Sequence, residues 1–123
     1  MAMIDKHKIG MAGEEVAAEW LAANGFSLLH RNWRQGRYEL DIVATKYGVI
    51  HFIEVKTRKA GGLTTPEEAL DRRKQQSLKR AASLYLAIYR VSLEPQFDLM
   101  AVEHYPDGHF EVRYEEDVIQ SRW

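Results

Sequence analysis

Acidic residues interrupt two apolar segments in the stretch YELDIVATKYGVIHFIEVKTR, residues 38–58. Glu39, Asp41, Glu54 and Lys56 lie there among aliphatic and aromatic residues that are typical of buried strands. Burying a carboxylate costs several kcal/mol unless a cation or a hydrogen-bond donor compensates it. Carboxylate oxygens are preferred ligands of Mg²⁺, which also binds phosphate oxygens. These residue types therefore indicate metal-assisted hydrolysis of a phosphodiester, with Lys56 orienting a water or stabilising developing charge.

A β-hairpin turning at Tyr47-Gly48 would bring these side chains together. Its register places Asp41 opposite Glu54 and Glu39 opposite Lys56, and alternation along the strands puts all four on one face. Asp41 and Glu54 would form a non-hydrogen-bonded pair with Cα atoms ~4.5 Å apart. Two carboxylates at that spacing repel each other, and a divalent cation removes the conflict. The alternative is a structural network in which Lys56 pairs with Glu39 or Glu54.

Two helices are predicted to flank this hairpin. The apolar spacing over 9–21 predicts a helix that ends at Asn24-Gly25, with Glu14 bordering its buried stripe and Glu15 on its polar face. Thr65-Pro66-Glu67-Glu68 predicts the start of a second helix that runs to about residue 89 and carries Lys74 on its apolar stripe.

The remaining segments complete an α-β-β-β-α-β-β order. FSLLHRNW at 26–33, QFDLMAVEHY at 96–105 and FEVRY at 110–114 are typical of strands. This order predicts an α/β fold, a mixed sheet flanked by helices.

Length and composition favour one cytoplasmic domain spanning 1–123. The chain has no cysteine, and no window approaches the ~20 apolar residues of a membrane span. Its start, MAMIDKHKIG, lacks the apolar region of a secretory signal. The net charge of −1 hides a segment, residues 30–80, with a net charge of +6. That segment could bind a polyanion such as nucleic acid, or could be a solvated charged surface.

The acids and the lysine resemble the signature of the PD-(D/E)xK nuclease superfamily, which has the restriction-endonuclease-like fold. More narrowly, the chain resembles the bacterial YraN-type family, which is assigned as endonucleases and is similar to archaeal Holliday-junction resolvases. The resemblance is carried by Gly13-Glu14, RNWR at 31–34, ELD at 39–41, FIEVKTR at 52–58 and FDLMAV at 97–102, together with the helix that contains Lys74.

The resemblance implies roles for individual residues. Asp41 and Glu54 would be metal ligands, Lys56 the catalytic lysine, and Glu14 the first-helix acid that completes the acidic cluster. The implied metal is Mg²⁺, with Mn²⁺ as a substitute. The chain departs from the family pattern at Tyr38, where the family usually has glycine. It also departs from the superfamily motif at Leu40, where the motif has proline.

Basic residues near these acids are candidates for contacts with DNA phosphates. They are Arg31, Arg34, Arg37, Arg58, Lys59 and Lys74. Lys74 could also contact the active site. Solvated surface positions are the alternative for the arginines and for Lys59, and for Lys74 a packed stem with its ammonium in water. Trp33 could stack on a base, but a core position is favoured.

Two functions follow from these expectations. The first is a Mg²⁺-dependent endonuclease that cuts DNA, with branched or otherwise structured DNA as a candidate substrate. The second is a nuclease-fold module that binds nucleic acid or a partner protein without cutting. A glycosidase is disfavoured because its two acids stand ~5 Å or more apart and need neither lysine nor metal. Neither a membrane nor a small-molecule cofactor is expected as a partner, and no stripe in the sequence argues for a homodimer.

Overall fold

The computed structural model describes residues 6–62, 68 and 70–119. It contains two helices and five strands in the predicted α-β-β-β-α-β-β order, which confirms the mixed α/β fold. These elements are α1 (Lys6–Ala23), β1 (Ser27–Gln35), β2 (Tyr38–Lys46), β3 (Val49–Lys59), α2 (Arg72–Ile88), β4 (Glu94–His104) and β5 (Phe110–Glu115). Within these residues, neither helix is long and apolar enough to cross a bilayer.

The five strands form one sheet in the order β1-β2-β3-β4-β5. β3 and β4 are parallel, and the other neighbours are antiparallel. Parallel neighbours need a crossover, and the segment that contains α2 provides it. The turn between β2 and β3 has positive φ at both Tyr47 (51°) and Gly48 (76°), as a type I′ hairpin turn requires.

The helices cover opposite faces of the sheet. On one face α1 packs through Ala17, Ala18 and Leu21 into a core that includes β3 and β4 residues. On the other face α2 packs through Leu78, Ala81, Ala82 and Tyr85. Buried aliphatic side chains on both faces explain why β2, β3 and β4 read as nearly continuous apolar runs.

The start of α2 differs from the prediction. Residues 63–67, which hold most of the predicted capping box, lie outside the described residues, but Leu70 and Asp71 are described and are not helical. The helix begins at Arg72, because the Asp71 side chain accepts a hydrogen bond of 2.9 Å from the Lys74 backbone N–H and caps the first turn. Its last residue, Ile88, lies one position from the predicted end.

The pairing of β2 with β3 stops earlier than predicted. The register from Lys46↔Val49 to Ile42↔Ile53 is the predicted one, but the prediction that the ladder continues through Asp41 is wrong. β3 alone continues, paired with β4 as far as Lys59. The two strands of the hairpin therefore part beyond Ile42 and Ile53.

Strict alternation of side chains also fails in β2. Leu40 and Val43 are three residues apart, yet both pack into the core under α2. Alternation is therefore broken between Leu40 and Val43, the stretch of β2 that contains Asp41. The neighbouring strand has positive φ (52°) at Asn32, and Asn32 and Asp41 are absent from the paired positions between β1 and β2. Local distortion of these two strands thus coincides with the position of Asp41.

Candidate active site at the parting of β2 and β3

The carboxyl groups of Asp41 and Glu54 meet where β2 and β3 part. In a continued ladder, the Val55 N–H would donate to the Leu40 carbonyl. It donates instead to Asp41 Oδ2 at 2.8 Å, so a side chain replaces the missing backbone acceptor. The Asp41 carboxyl also shares a hydrogen bond with the Glu54 carboxyl. The two acids thus come together as predicted, although their backbones are not paired.

The environment of Asp41 favours its protonated form. Burial, the hydrogen bond to Glu54 and the charges of Glu54 and Glu14 raise the pKa of Asp41 to about 8, against the opposing effect of the Val55 N–H. At neutral pH the Asp41–Glu54 pair therefore retains one proton. A carboxyl pair that cannot hold two negative charges alone would gain from a bound cation.

Lys74 reaches this pair from α2. Its Nζ lies 2.9 Å from Glu54 Oε2, and the Glu54 side chain is only 4% exposed whereas that of Lys74 is 35% exposed. Burial lowers the pKa of Lys74, but the hydrogen bond to Glu54 and the charges of Glu54 and Asp41 outweigh it, so the net shift is upward. Of the alternatives for Lys74, the structure places its ammonium at the candidate active site, against Glu54, and not in open water.

Glu14 and Lys56 line a cleft of about 990 Å³ on the α1 side of the site, together with Arg58, Lys59 and His104. Glu14 is half-buried, as its place beside the apolar stripe predicts. Lys56 is also half-buried and, among the described residues, forms no ion pair. Its ammonium is therefore available to a bound anion.

The predicted network around Lys56 is replaced by other pairs. Glu39 does not face Lys56, because the ladder has ended, and it pairs with Arg34 at 2.6 Å. Glu54, the other predicted partner, is held by Lys74.

The acids do not form a preassembled triad. In the part of the chain that the structure describes, no group of three or more His, Cys, Asp or Glu side chains could hold a metal ion. Asp41 and Glu54 touch, whereas Glu14 acts on Asp41 through its charge. Such a pair still fits the mode in which Mg²⁺ takes one or two carboxylates and keeps waters and phosphate oxygens as its other ligands.

The remaining predicted basic residues have varied surroundings. Arg31 pairs with Glu15 at 3.0 Å, so it and Arg34 are already engaged with acids. Arg58 is half-buried and donates to the Thr57 carbonyl, and Lys59 is exposed. Arg37 is exposed beside Tyr38.

Trp33 is buried in the core under α2 and donates from Nε1 to the Tyr89 hydroxyl at 3.1 Å. The favoured core position of Trp33 is confirmed.

Gly13 supports the site in a way that sequence reasoning did not identify. A Cβ on Gly13 would lie 2.0 Å from Thr57 Oγ1, so α1 approaches β3 as closely as only glycine allows. This approach places Glu14 beside the end of β3. The sequence did offer one signal of this close approach, a glycine within an otherwise regular helical pattern.

A second buried acid lies apart from the Asp41–Glu54 pair. Asp98 accepts hydrogen bonds from His51, Gln96, Tyr114 and the Asp117 backbone N–H. Burial raises the pKa of Asp98, but these donors outweigh it and the net shift is downward. The network joins β3, β4 and the segment after β5, a structural role.

The fold and the site define a mixed α/β protein with a carboxyl pair and two lysines where two strands part. The model of the family described as "Uncharacterised protein family UPF0102" matches residues 13–102, so the chain belongs to this family, in agreement with the YraN-type resemblance. A UPF0102 protein of Symbiobacterium thermophilum is 45% identical over 109 residues, which are 86% of this chain and 91% of the relative. A UPF0102 protein of Bacteroides thetaiotaomicron is 39% identical over 100 residues, 81% of this chain and 83% of the relative.

Proposed function

We propose that this chain is a Mg²⁺-dependent endonuclease of the PD-(D/E)xK superfamily, with a restriction-endonuclease-like fold, that hydrolyses phosphodiester bonds in DNA. Branched or otherwise structured DNA is the proposed substrate. The observation that carries the proposal is the position of the Asp41 carboxyl, which accepts from the Val55 N–H at 2.8 Å and so lies beside Glu54 of β3, the strand that also carries Lys56.

The acids would hold the metal. Asp41 and Glu54 offer oxygen ligands, and Glu14, on the neighbouring helix, adds negative charge and could bind through a water. Mn²⁺ would serve in place of Mg²⁺, since it also prefers oxygen ligands. When bound, such an ion would supply a positive charge for the phosphate and an activated water.

Lys56 would act on the reacting phosphate. Its ammonium, which has no ionic partner among the described residues, could orient the attacking water or stabilise the charge that develops on the phosphate oxygens. Arg58 and Lys59 follow Lys56 into the same cleft and would hold neighbouring phosphates. Arg31, Arg34, Arg37 and Lys74 are further proposed contacts, of which Arg31, Arg34 and Lys74 would have to exchange an acid for a phosphate.

A second candidate function is a module that binds DNA or a partner protein without cutting. The Lys74–Glu54 ion pair favours it, because Lys74 already supplies Glu54 with a cation and so removes part of the need for a metal. A cytoplasmic location fits either function, since the chain has no cysteine.

Cleavage of labelled DNA separates the two functions. Junction, flap, single-stranded and plain duplex DNA are incubated with Mg²⁺, Mn²⁺ or a chelator and each of five proteins: the wild type, Asp41→Ala, Glu54→Ala, Lys56→Ala and the control Lys8→Ala. Lys8 is an exposed lysine of α1 outside the site. The endonuclease is expected to cut only with metal, and Lys8→Ala is expected to cut like the wild type.

Each site variant should lose at least 100-fold in rate while its circular dichroism spectrum is unchanged, a loss in the range typical of an acid–base group. Cleavage by all three site variants at the wild-type rate would exclude the proposed site. Binding without cleavage under every condition would favour the second function.

A further inference from the structure

Arginines line a second cleft, of about 690 Å³, between the β1–β2 turn and α2. The arginine cleft comprises Arg37 and Tyr38 from the start of β2 and Arg72, Arg73 and Arg80 from α2. All four arginines are exposed, and Tyr38 is half-buried against the core under α2. The uncharged Gln76 and Ser77 complete the lining, so no acid among the described residues lines the cleft.

The four arginines of the cleft lack an acidic partner within the described part of the chain. Arg31 and Arg34 each form an ion pair with an acid, whereas none of the four arginines of the cleft forms one with a described residue. Arg37 donates instead to the Tyr38 hydroxyl at 3.3 Å, and its guanidinium lies 5.3 Å from the centre of the Tyr38 ring. Four uncompensated guanidinium groups around one aromatic side chain suit an anionic ligand.

The arginine cleft lies next to the carboxyl pair. Tyr38 precedes Asp41 by three residues in β2, which is about 10 Å along a strand. Arg73 precedes Lys74, whose ammonium touches Glu54. An extended ligand could therefore occupy the arginine cleft and reach the carboxyl pair.

The spacing of the arginines selects the class of ligand. Arg73 and Arg80 are seven residues apart in α2, or about 10 Å along the helix axis. A single phosphate is too small to span that distance, whereas a nucleic acid strand presents a phosphate at every nucleotide. We infer that the arginine cleft binds consecutive backbone phosphates of a nucleic acid strand that continues from the carboxyl pair. This inference rests on the proposed function for the direction of the strand.

Binding without cleavage tests the cleft separately from catalysis. Fluorescence anisotropy of labelled junction and single-stranded DNA is measured with a chelator present, over a series of salt concentrations. The double variant Arg73→Gln/Arg80→Gln is compared with the wild type and with Arg90→Asn/Lys8→Gln. The control pair removes the same charge from an exposed position just after α2 and from α1. Asparagine is chosen at residue 90 because Arg90 has a positive φ of 53°, which asparagine tolerates.

The cleft variant should bind at least about 10-fold more weakly at low salt, and its slope of log affinity against log salt should be shallower by about 1 to 2. The slope of the control should differ from that of the wild type by less than about half of the change expected for the cleft variant. Thermal unfolding of all three proteins checks that each is folded.

The outcomes separate this inference from the proposed function. Equal slopes for the cleft variant and the control, or no DNA binding by the folded wild type, would overturn the inference. Loss of affinity in the cleft variant alone would support it, even if the wild type cuts no DNA. If the wild type cuts DNA but the cleft variant binds DNA as tightly as the control, the nuclease function is supported and the role of the arginine cleft is rejected.

Discussion

At the scale of single residues, Asp41 links backbone structure with protonation. Its carboxyl satisfies the Val55 N–H and shares a hydrogen bond with Glu54. Both contacts depend on the parting of β2 and β3, but they act on the pKa of Asp41 in opposite directions: burial and the hydrogen bond to Glu54 raise it, and the Val55 N–H lowers it.

The raised pKa of Asp41 predicts how stability changes with pH. The unfolded chain loses this proton near the ordinary pKa of 3.8, whereas the folded protein keeps it until about pH 8. The free energy of unfolding should therefore fall as pH rises from about 4 to 8. Asp41→Asn keeps an acceptor for the Val55 N–H but has no proton to lose, so it should remove this fall in the free energy of unfolding.

With a chelator present, Asp41→Asn should be more stable than the wild type by on the order of 1–3 kcal/mol at pH 8, with little difference near pH 4.5. Urea unfolding at the two pH values measures this. Glu19→Gln, at an exposed position of α1, is the control and should change little at either pH. If Asp41→Asn exceeded the wild type in free energy of unfolding by the same amount at both pH values, the raised pKa of Asp41 would be contradicted.

Lys74 gives a second prediction at this scale. Lys74→Met leaves the buried Glu54 carboxylate without its ammonium partner, and should lower the free energy of unfolding by about 1–3 kcal/mol without metal. Arg73→Met changes the neighbouring, exposed residue and should cost less than about 0.5 kcal/mol.

Unfolding in urea with and without excess Mg²⁺ measures both effects. Added Mg²⁺ should narrow the gap between the Lys74→Met variant and the wild type, because the ion replaces the lost charge. A Lys74→Met variant as stable as Arg73→Met would show that the ion pair is not needed.

At the scale of elements, the close packing of α1 on β3 sets the position of Glu14. Gly13→Ala forces a Cβ into the Thr57 side chain and should destabilise the fold by about 1–2 kcal/mol, after the better helix propensity of alanine is allowed for. Gly10→Ala is the matched control, since its Cβ meets no atom within 4 Å, and it should stabilise by about 0.5–1 kcal/mol.

Thr57→Ala should relieve much of the Gly13→Ala cost, and a double-mutant cycle measured by chemical unfolding reports this coupling. Additive costs for the two substitutions would contradict the contact.

The sequence predicted the elements better than the details of the site. Apolar periodicity and the Tyr47-Gly48 turn were sufficient for the β2–β3 hairpin and its register near the turn. They could not predict the parting of the strands, because Leu40 and Val43 turn to the same side, which strict alternation forbids. The start of α2 was predicted too early, because the role of Asp71 as a cap depends on its own side-chain hydrogen bond.

The pairing of basic residues was also beyond the sequence. Which lysine meets Glu54 depends on how α2 lies across the sheet, so Lys74 and not Lys56 is its partner. The arginines of α2 were present as RRKQQSLKR, but only the fold brings them next to Arg37.

At the scale of the whole molecule, binding of a divalent ion should couple to proton release. Because the pKa of Asp41 is about 8 without metal, an ion held by both carboxyls at pH 7 would displace up to about one proton. Titration calorimetry with Mn²⁺ in two buffers of different ionisation enthalpy measures that number. Affinity should rise between pH 6 and 8 and then level off.

Asp41→Asn should abolish the proton release, whereas Glu19→Gln should keep it. Binding of Mn²⁺ with no proton release at pH 7 would place the ion elsewhere in the molecule.

The strand β3 is hydrogen-bonded to β4 along its whole length but to β2 over only about half of it. The unpaired end of β2 can therefore shift relative to β3 from Ile42 and Ile53 onward, while the ladder next to the Tyr47-Gly48 turn stays intact. A small change in the spacing of Asp41 and Glu54 would break no backbone pair of this ladder and would disturb only side-chain contacts such as the one from the Val55 N–H to Asp41, so the site could accept ions of different size.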